Sequence, residues 1–275
     1  MHVRRQGQAI LTTGAQPFVQ GFSAIHNEAS MATKEQADGW DESQKILVVL
    51  AHPDDPEFFC GGTLARWARA GHTVEYYLLT CGDKGYNDWT TTQDINPDNL
   101  CSVRHKEQSE AAATIGAKAV HWLDLPDGYI VPDIDLRREV VRIIRRLKPD
   151  ILVTCDPQML FSTVGINHPD HRAAGQVVLD AAYPAAGNAA YFPELLTEGL
   201  EPHMPAEIWC SLPSQPNITI DITDTWPVKM DALLKHKTQV GDPEKFRGRM
   251  LSRHTEDSTD ENPRFEERFR VIKYH

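Results

Sequence analysis

Several features that would place a protein quickly are missing from this sequence. No apolar run is long enough to cross a bilayer. Near the start, Ala9-Ile10-Leu11 gives way at once to Thr12-Thr13-Gly14, too weak a stretch for a secretory signal. Cysteine is sparse: Cys60, Cys81, Cys101, Cys155 and Cys210 are scattered, odd in number and without a C-x-x-C pair. That pattern argues against a disulfide framework or a zinc knuckle and suits a reducing, cytoplasmic setting. Basic charge is also in short supply. With 28 Lys and Arg against 39 Asp and Glu, the net charge of -11 argues against nucleic acid or an anionic membrane surface as the main partner. No internal repeat appears, and no linker divides the chain.

What is present is a rhythm of strands and helices. Lys45 to Ala51 is a continuous apolar run of the kind buried on both faces of a parallel sheet. A helix is expected over 63–70, closed by Gly71, and a strand over 74–80, which together make a βαβ unit. Helices follow at 102–115, 135–147, 171–182 and 226–239, and strands at 119–123, 151–154, 207–212 and 217–222. The segment 241–263 reads as charged and irregular, while 265–272 is apolar enough to dock on the body. The expected fold is α/β: one doubly wound, mostly parallel, Rossmann-like sheet with helices on both faces. It spans residues 43–275, preceded by a disordered extension over 1–42 in which Met31 is a second candidate start.

In open α/β sheets ligands bind beyond the carboxyl ends of the strands. The loop after the first strand reads His52-Pro53-Asp54-Asp55-Pro56-Glu57, and a later loop reads His168-Pro169-Asp170-His171. Either alone could be a polar turn, since Pro and Asp are common turn residues. Two such clusters at the same end of one sheet point to a metal site instead. Zinc suits a mixed histidine and carboxylate set, and it lowers the pKa of a coordinated water to roughly 7.

These motifs, with Gly61-Gly62-Thr63-Leu64, resemble the LmbE/PIG-L family of zinc-dependent N-deacetylases. The resemblance runs from about Lys45 to His171 and continues more weakly through His236 to Gln239 and Phe265 to Phe269. It implies His52, Asp55 and His171 as zinc ligands, with ferrous iron an alternative in the cell, and Asp54 as general base. His168 is implied to stabilise the oxyanion or protonate the leaving amine, with Asp170 orienting it. Arg104 and Asp127 match positions that hold sugar hydroxyls, and His236 matches a histidine facing the pocket. Some relatives carry a tyrosine two residues before the first histidine of H-P-D-H; this chain has Ile166 there, followed by Asn167. The expected activity is removal of an N-acyl group, N-acetyl foremost, from an amino-sugar-type small molecule. A homo-oligomer is compatible with the resemblance.

Three other readings compete. A dinucleotide-binding fold lacks its G-x-G-x-x-G fingerprint and would set Asp54 and Asp55 against a pyrophosphate. A non-catalytic sugar- or metal-binding module would need the ligands but no base, whereas Asp54 and His168 are both present. A zinc amidase acting on a thiol conjugate or another non-sugar amide keeps the mechanism and changes only the substrate.

Overall fold

The structure is a computed structural model, and it describes residues 40–86, 96, 98–162 and 165–274. The expected extension over 1–42 lies outside the described residues except for Trp40 to Glu42. Trp40 packs its ring on Trp67 and Trp209 and donates its indole N–H to Glu207, so it is part of the folded body.

In chain order the main elements are β1 (Lys45–Leu50), α1 (Asp55–Arg69), β2 (Thr73–Thr80), α2 (Leu100–Ile115), β3 (Ala119–Leu125), α3 (Ile134–Leu147) and β4 (Ile151–Cys155). A short hairpin of β5 (Phe161–Ser162) and β6 (Gly165–Ile166) precedes α4 (Pro169–Asp180), which runs into a π-helical turn over Ala181–Ala186. After α5 (Glu194–Thr197) come β7 (Glu207–Ser211), β8 (Ile218–Asp221), α6 (Trp226–Leu233), α7 (Lys237–Val240), α8 (Pro243–Leu251) and β9 (Glu266–Lys273).

Seven strands form one sheet in the order β3-β2-β1-β4-β7-β9-β8. The pairs from β3 through β7 are parallel, and β9 runs antiparallel to both of its neighbours. The doubly wound expectation therefore holds, with one reversed strand. Alternation along β1 divides the core between two faces. Ile46, Val48 and Leu50 pack with Leu64, Ala112 and Ala232 from α1, α2 and α6. Leu47 and Val49 pack with Val140, Ile144 and Val177 from α3 and α4. The chain leaves β1 toward β2 and β3, then returns to place β4 on the other side. The crevice between the ends of β1 and β4 is the topological switch point, where such sheets bind ligands.

Local chemistry moves several boundaries. Helix α1 starts at Asp55, eight residues earlier than expected, because Pro56 fits a first turn and its acidic residues favour a helix N-terminus. Cys60, at φ -147°, breaks the helical path just before Gly61. The amides of Gly62 and Thr63 instead donate to the Glu267 carboxylate at 2.9 and 2.8 Å. The helix expected over 226–239 divides into α6 and α7 around His236. The segment expected to be irregular contains α8, where Asp242 accepts the Lys245 amide as a cap and Phe246 and Met250 bury one turn apart.

Cysteine needs one correction. Cys81 and Cys101, 20 residues apart in sequence, are joined as a disulfide, with Cα atoms 5.2 Å apart. The end of β2 meets the start of α2 there, a proximity that spacing along the chain does not reveal. Cys60, Cys155 and Cys210 are free and buried. Among the described residues no helix is long and apolar enough to cross a membrane.

Candidate active site

Four stretches converge at the switch point: the β1–α1 loop, the segment after β2, the segment after β3 and the start of α4. They line an open depression of about 530 Å³ that includes His52, Asp54, Asp55, Asp127, His168 and His171. At its floor three donors meet. His52 Nδ1 lies 3.2 Å from His171 Nε2 and 3.4 Å from an Asp55 oxygen, and His171 Nε2 lies 3.0 Å from the other Asp55 oxygen. Donors held at about 2.0–2.2 Å around a tetrahedral dication stand roughly 3.3–3.6 Å apart; the 3.2 Å between the two imidazole nitrogens is close to that spacing, with one Asp55 oxygen set against each ring.

The surrounding hydrogen bonds fix the direction of both rings. Asn167 Oδ1 accepts from His171 Nδ1 at 2.9 Å, which leaves the Nε2 lone pair facing Asp55 and His52. Asn167 is itself oriented, because its amide donates to the Met159 carbonyl at 2.9 Å. On the far side of His52, Nε2 faces Asp170 at 3.3 Å and Asp127 at 3.2 Å, which leaves Nδ1 for the centre. Two lone pairs and a carboxylate aimed at one point repel unless a cation lies between them. Burial would lower His52, but Asp55, Asp127 and Asp170 overrule it and hold the imidazole well above its usual pKa. Burial would raise Asp55, yet His171 and His52 hold it well below the usual carboxylate range. The donor set therefore fits a dication.

Asp54 stands beside this triangle. It precedes α1 in a left-handed conformation, φ 81°, which turns its side chain away from that of Asp55. Its amide donates to Gln108 Oε1 at 2.8 Å, and one carboxylate oxygen accepts from Arg104 Nη2 at 3.2 Å. Burial pushes its carboxyl up to about 6, against the pull of Arg104. His168, half-exposed at the rim, accepts the Asp170 amide at Nδ1 over 3.2 Å. A donor at Nδ1 leaves the proton on Nε2, the atom 3.9 Å from Asp127. Burial and the neighbouring His52 and His171 lower its pKa, which favours this neutral form.

Three of the expected residues have further partners in the structure. The Asp170 carboxylate faces His52 rather than His168, and it also accepts the amides of Gly128 and Ile130 at 2.6 and 3.2 Å. It thereby ties the start of α4 to the segment that carries Asp127. His236 does not line the depression. It is fully buried behind Asp54, with Nε2 3.1 Å from Glu57, because the break between α6 and α7 turns it inward. Arg104 borders the depression but is 3% exposed, and it donates to the Pro53 and Gly82 carbonyls as well as to Asp54. Its geometry is that of a group holding the β1–α1 loop.

Sequence reasoning missed Gln108 and the support role of Asn167. Gln108 donates to both Glu57 oxygens and accepts from Asp54, linking buried His236 to the loop. Its position one helical turn after Arg104 was a usable signal, since residues four apart share a helix face. Asn167 carried a weaker one, four residues before His171.

The family model described as GlcNAc-PI de-N-acetylase, PIG-L, matches residues 47–182. A diacetylchitobiose deacetylase of Thermococcus kodakarensis is 31% identical over 222 residues, covering 81% of this chain and 79% of the relative. A 1D-myo-inositol 2-acetamido-2-deoxy-alpha-D-glucopyranoside deacetylase of Saccharopolyspora erythraea is 34% identical over 190 residues, covering 61% and 65%. Among solved structures, the N,N'-diacetylchitobiose deacetylase of Pyrococcus horikoshii superposes with a TM-score of 0.74 at 26% identity, covering 84% of this chain and 85% of that one.

Proposed function

Because the chain belongs to the PIG-L family of de-N-acetylases, we propose that it removes the N-acetyl group from an amino-sugar-type small molecule by metal-dependent hydrolysis. The observation that carries this reading is the convergence of His52 Nδ1, Asp55 and His171 Nε2, with half-buried Asp54 beside them. His52, Asp55 and His171 would hold the ion, and zinc fits their nitrogen and oxygen donors. When bound, such an ion supplies a Lewis acid for the amide carbonyl and makes water acidic enough to react near neutral pH.

The protein's own groups do the rest. Asp54 takes the proton of the attacking water; a carboxyl raised to about 6 is a stronger base than an ordinary aspartate. Arg104 keeps that carboxylate in place through its contacts with Pro53 and Gly82. His168 presents its Nε2 proton to the rim, where it can donate to the developing oxyanion or the departing amine. Asp170 orients His52, and Asn167 orients His171. Asp127, buried beside His52 and His168 and lining the depression, is the carboxylate assigned to a sugar hydroxyl. A cytoplasmic setting is part of the proposal; there the Cys81–Cys101 disulfide would be exposed to reduction, while Cys60, Cys155 and Cys210 are already free.

The test is acetate release from a panel of N-acetylated mono- and disaccharides, alongside simple alkyl acetamides and thiol-sugar conjugates. Turnover should favour N-acetylglucosamine-type substrates, disappear on chelation and return with added zinc or ferrous iron. Full activity in verified metal-free protein would overturn the mechanism. Preference for plain alkyl amides would overturn the substrate class. Asp127→Ala should reduce turnover of the sugar more than that of a small amide, by about 1–3 kcal/mol of lost hydrogen bonding.

A further inference from the structure

Behind Arg104 lies a second group of metal-binding side chains, apart from the triangle of His52, Asp55 and His171. Cys81 follows β2, Cys101 and His105 stand one turn apart on α2, and Asp124 lies near the end of β3. One ligand atom from each lies within 4.8 Å of all the others. His105 Nε2 is 2.8 Å from Asp124 Oδ1 and 3.8 Å from Cys101 Sγ, so one nitrogen faces both sulfur and carboxylate. The imidazole packs on Trp122 with ring centroids 3.8 Å apart, which restricts its rotation. Cys81 is buried, Cys101 and His105 are half-buried and Asp124 is exposed, so an ion could enter from solvent on the Asp124 side.

Two sulfurs, one imidazole nitrogen and one carboxylate oxygen make a four-donor set that tetrahedral zinc accepts. Sulfur and nitrogen ligands held at about 2.0–2.3 Å from zinc stand roughly 3.3–3.8 Å apart, the range in which Cys101 and His105 already lie. The disulfide withholds both sulfurs as thiolates, so metal binding and the disulfide exclude one another.

We propose that, once Cys81 and Cys101 are reduced, this cluster binds a second, thiophilic divalent cation of the zinc class. A dithiol reductant opens the S–S bond: it is oxidised to its own disulfide while its two hydrogens and two electrons convert Cys81 and Cys101 to thiols. Metal binding then replaces two S–H bonds with two S–metal bonds and releases both protons to solvent, with no further redox change. Either closure pins the start of α2 to the end of β2. The pinned residues flank Arg104 and Gly82, whose hydrogen bond of 2.9 Å lies beside Cys81.

The experiment uses the full chain, stripped of metal and reduced under inert gas with a water-soluble phosphine, then titrated with cobalt(II). Thiol counting under native conditions should first show two more reactive thiols than the oxidised protein. Cobalt should then produce thiolate-to-metal charge-transfer absorption in the near ultraviolet, and elemental analysis should find one more cobalt ion per chain than in oxidised protein. The catalytic set has only nitrogen and oxygen donors and gives no such band, so the two sites are read separately. Cys81→Ser and His105→Ala should each lose the band or move its saturation to higher cobalt. The proposal is overturned if the disulfide survives reduction in the folded protein. It is equally overturned if reduced protein takes up cobalt with no thiolate band, or if the band is unchanged in Cys81→Ser. None of these readouts depends on acetate release, so this inference and the deacetylase reading can fail independently.

Discussion

The two adjacent aspartates perform different tasks because the backbone turns between them. Asp55 begins a helix and faces two imidazoles, whereas Asp54 sits at positive φ and faces Arg104. Asp54→Asn should therefore retain its metal while kcat falls by about 10²–10⁴-fold, the usual worth of a general base. Asp55→Ala and His171→Ala should instead lose metal. Elemental analysis beside kcat for each variant distinguishes the cases, and an Asp54→Asn protein that emptied of metal would reverse the assignment. Asp170→Asn should weaken metal binding by about 10–100-fold, measured by competition with a chelator, because Asp170 supports His52 from behind. The residues of this site were legible in the sequence as a set, since two H-P-D clusters mark two loops. The partners were not. Whether Asp170 turns to His52 or His168, and whether His236 reaches the pocket or the interior, depends on helix starts and breaks that local motifs do not encode.

At the scale of elements, the glycines after β2 and α1 show how little room the loops leave. Gly71 and Gly82 both have positive φ, but a Cβ on Gly71 would meet nothing, whereas one on Gly82 would fall 1.9 Å from Arg104 Nη1. Gly71→Ala should cost about 1–2 kcal/mol of stability and leave catalysis intact. Gly82→Ala should lower kcat as well, because Arg104 must move; equal activity in the two variants would show that Arg104 has no part in holding Asp54. The strands were the most readable elements, because apolar runs such as those of β1 and β4 are buried on both faces. Helices were harder wherever charge masked the pattern. In α8, Phe246 and Met250 are a sparse apolar signal among Lys245, Arg247 and Arg249. In β9 the alternation is real, but one of its inward positions is Glu267, so only its general apolar character was visible.

Across the whole molecule, Glu267 joins elements far apart in sequence. Its carboxylate accepts the Gly62 and Thr63 amides and the buried Lys229 ammonium, which lies 2.7 Å away. Glu267→Ala would leave Lys229 without its counter-charge and two amides without acceptors. We expect a loss of about 3–5 kcal/mol in denaturant unfolding, the cost of breaking a buried pair from one side. A change near zero would mean that water replaces the carboxylate. The fold class was legible because strand and helix alternate from Lys45 onward; the reversed strand was not, since nothing local marks a sheet position between β7 and β8. That position has a consequence during synthesis. His52, Asp54, Asp55, Asp127, His168 and His171 all lie in the first 171 residues, and the buried support from His236 follows well before β9. A nascent chain can thus carry these residues while β7 still has an open edge and Lys229 lacks its partner. The sheet closes only after residues 266–273 leave the ribosome, so a message cut short in that last stretch would yield a protein with a full set of catalytic residues and an incomplete fold.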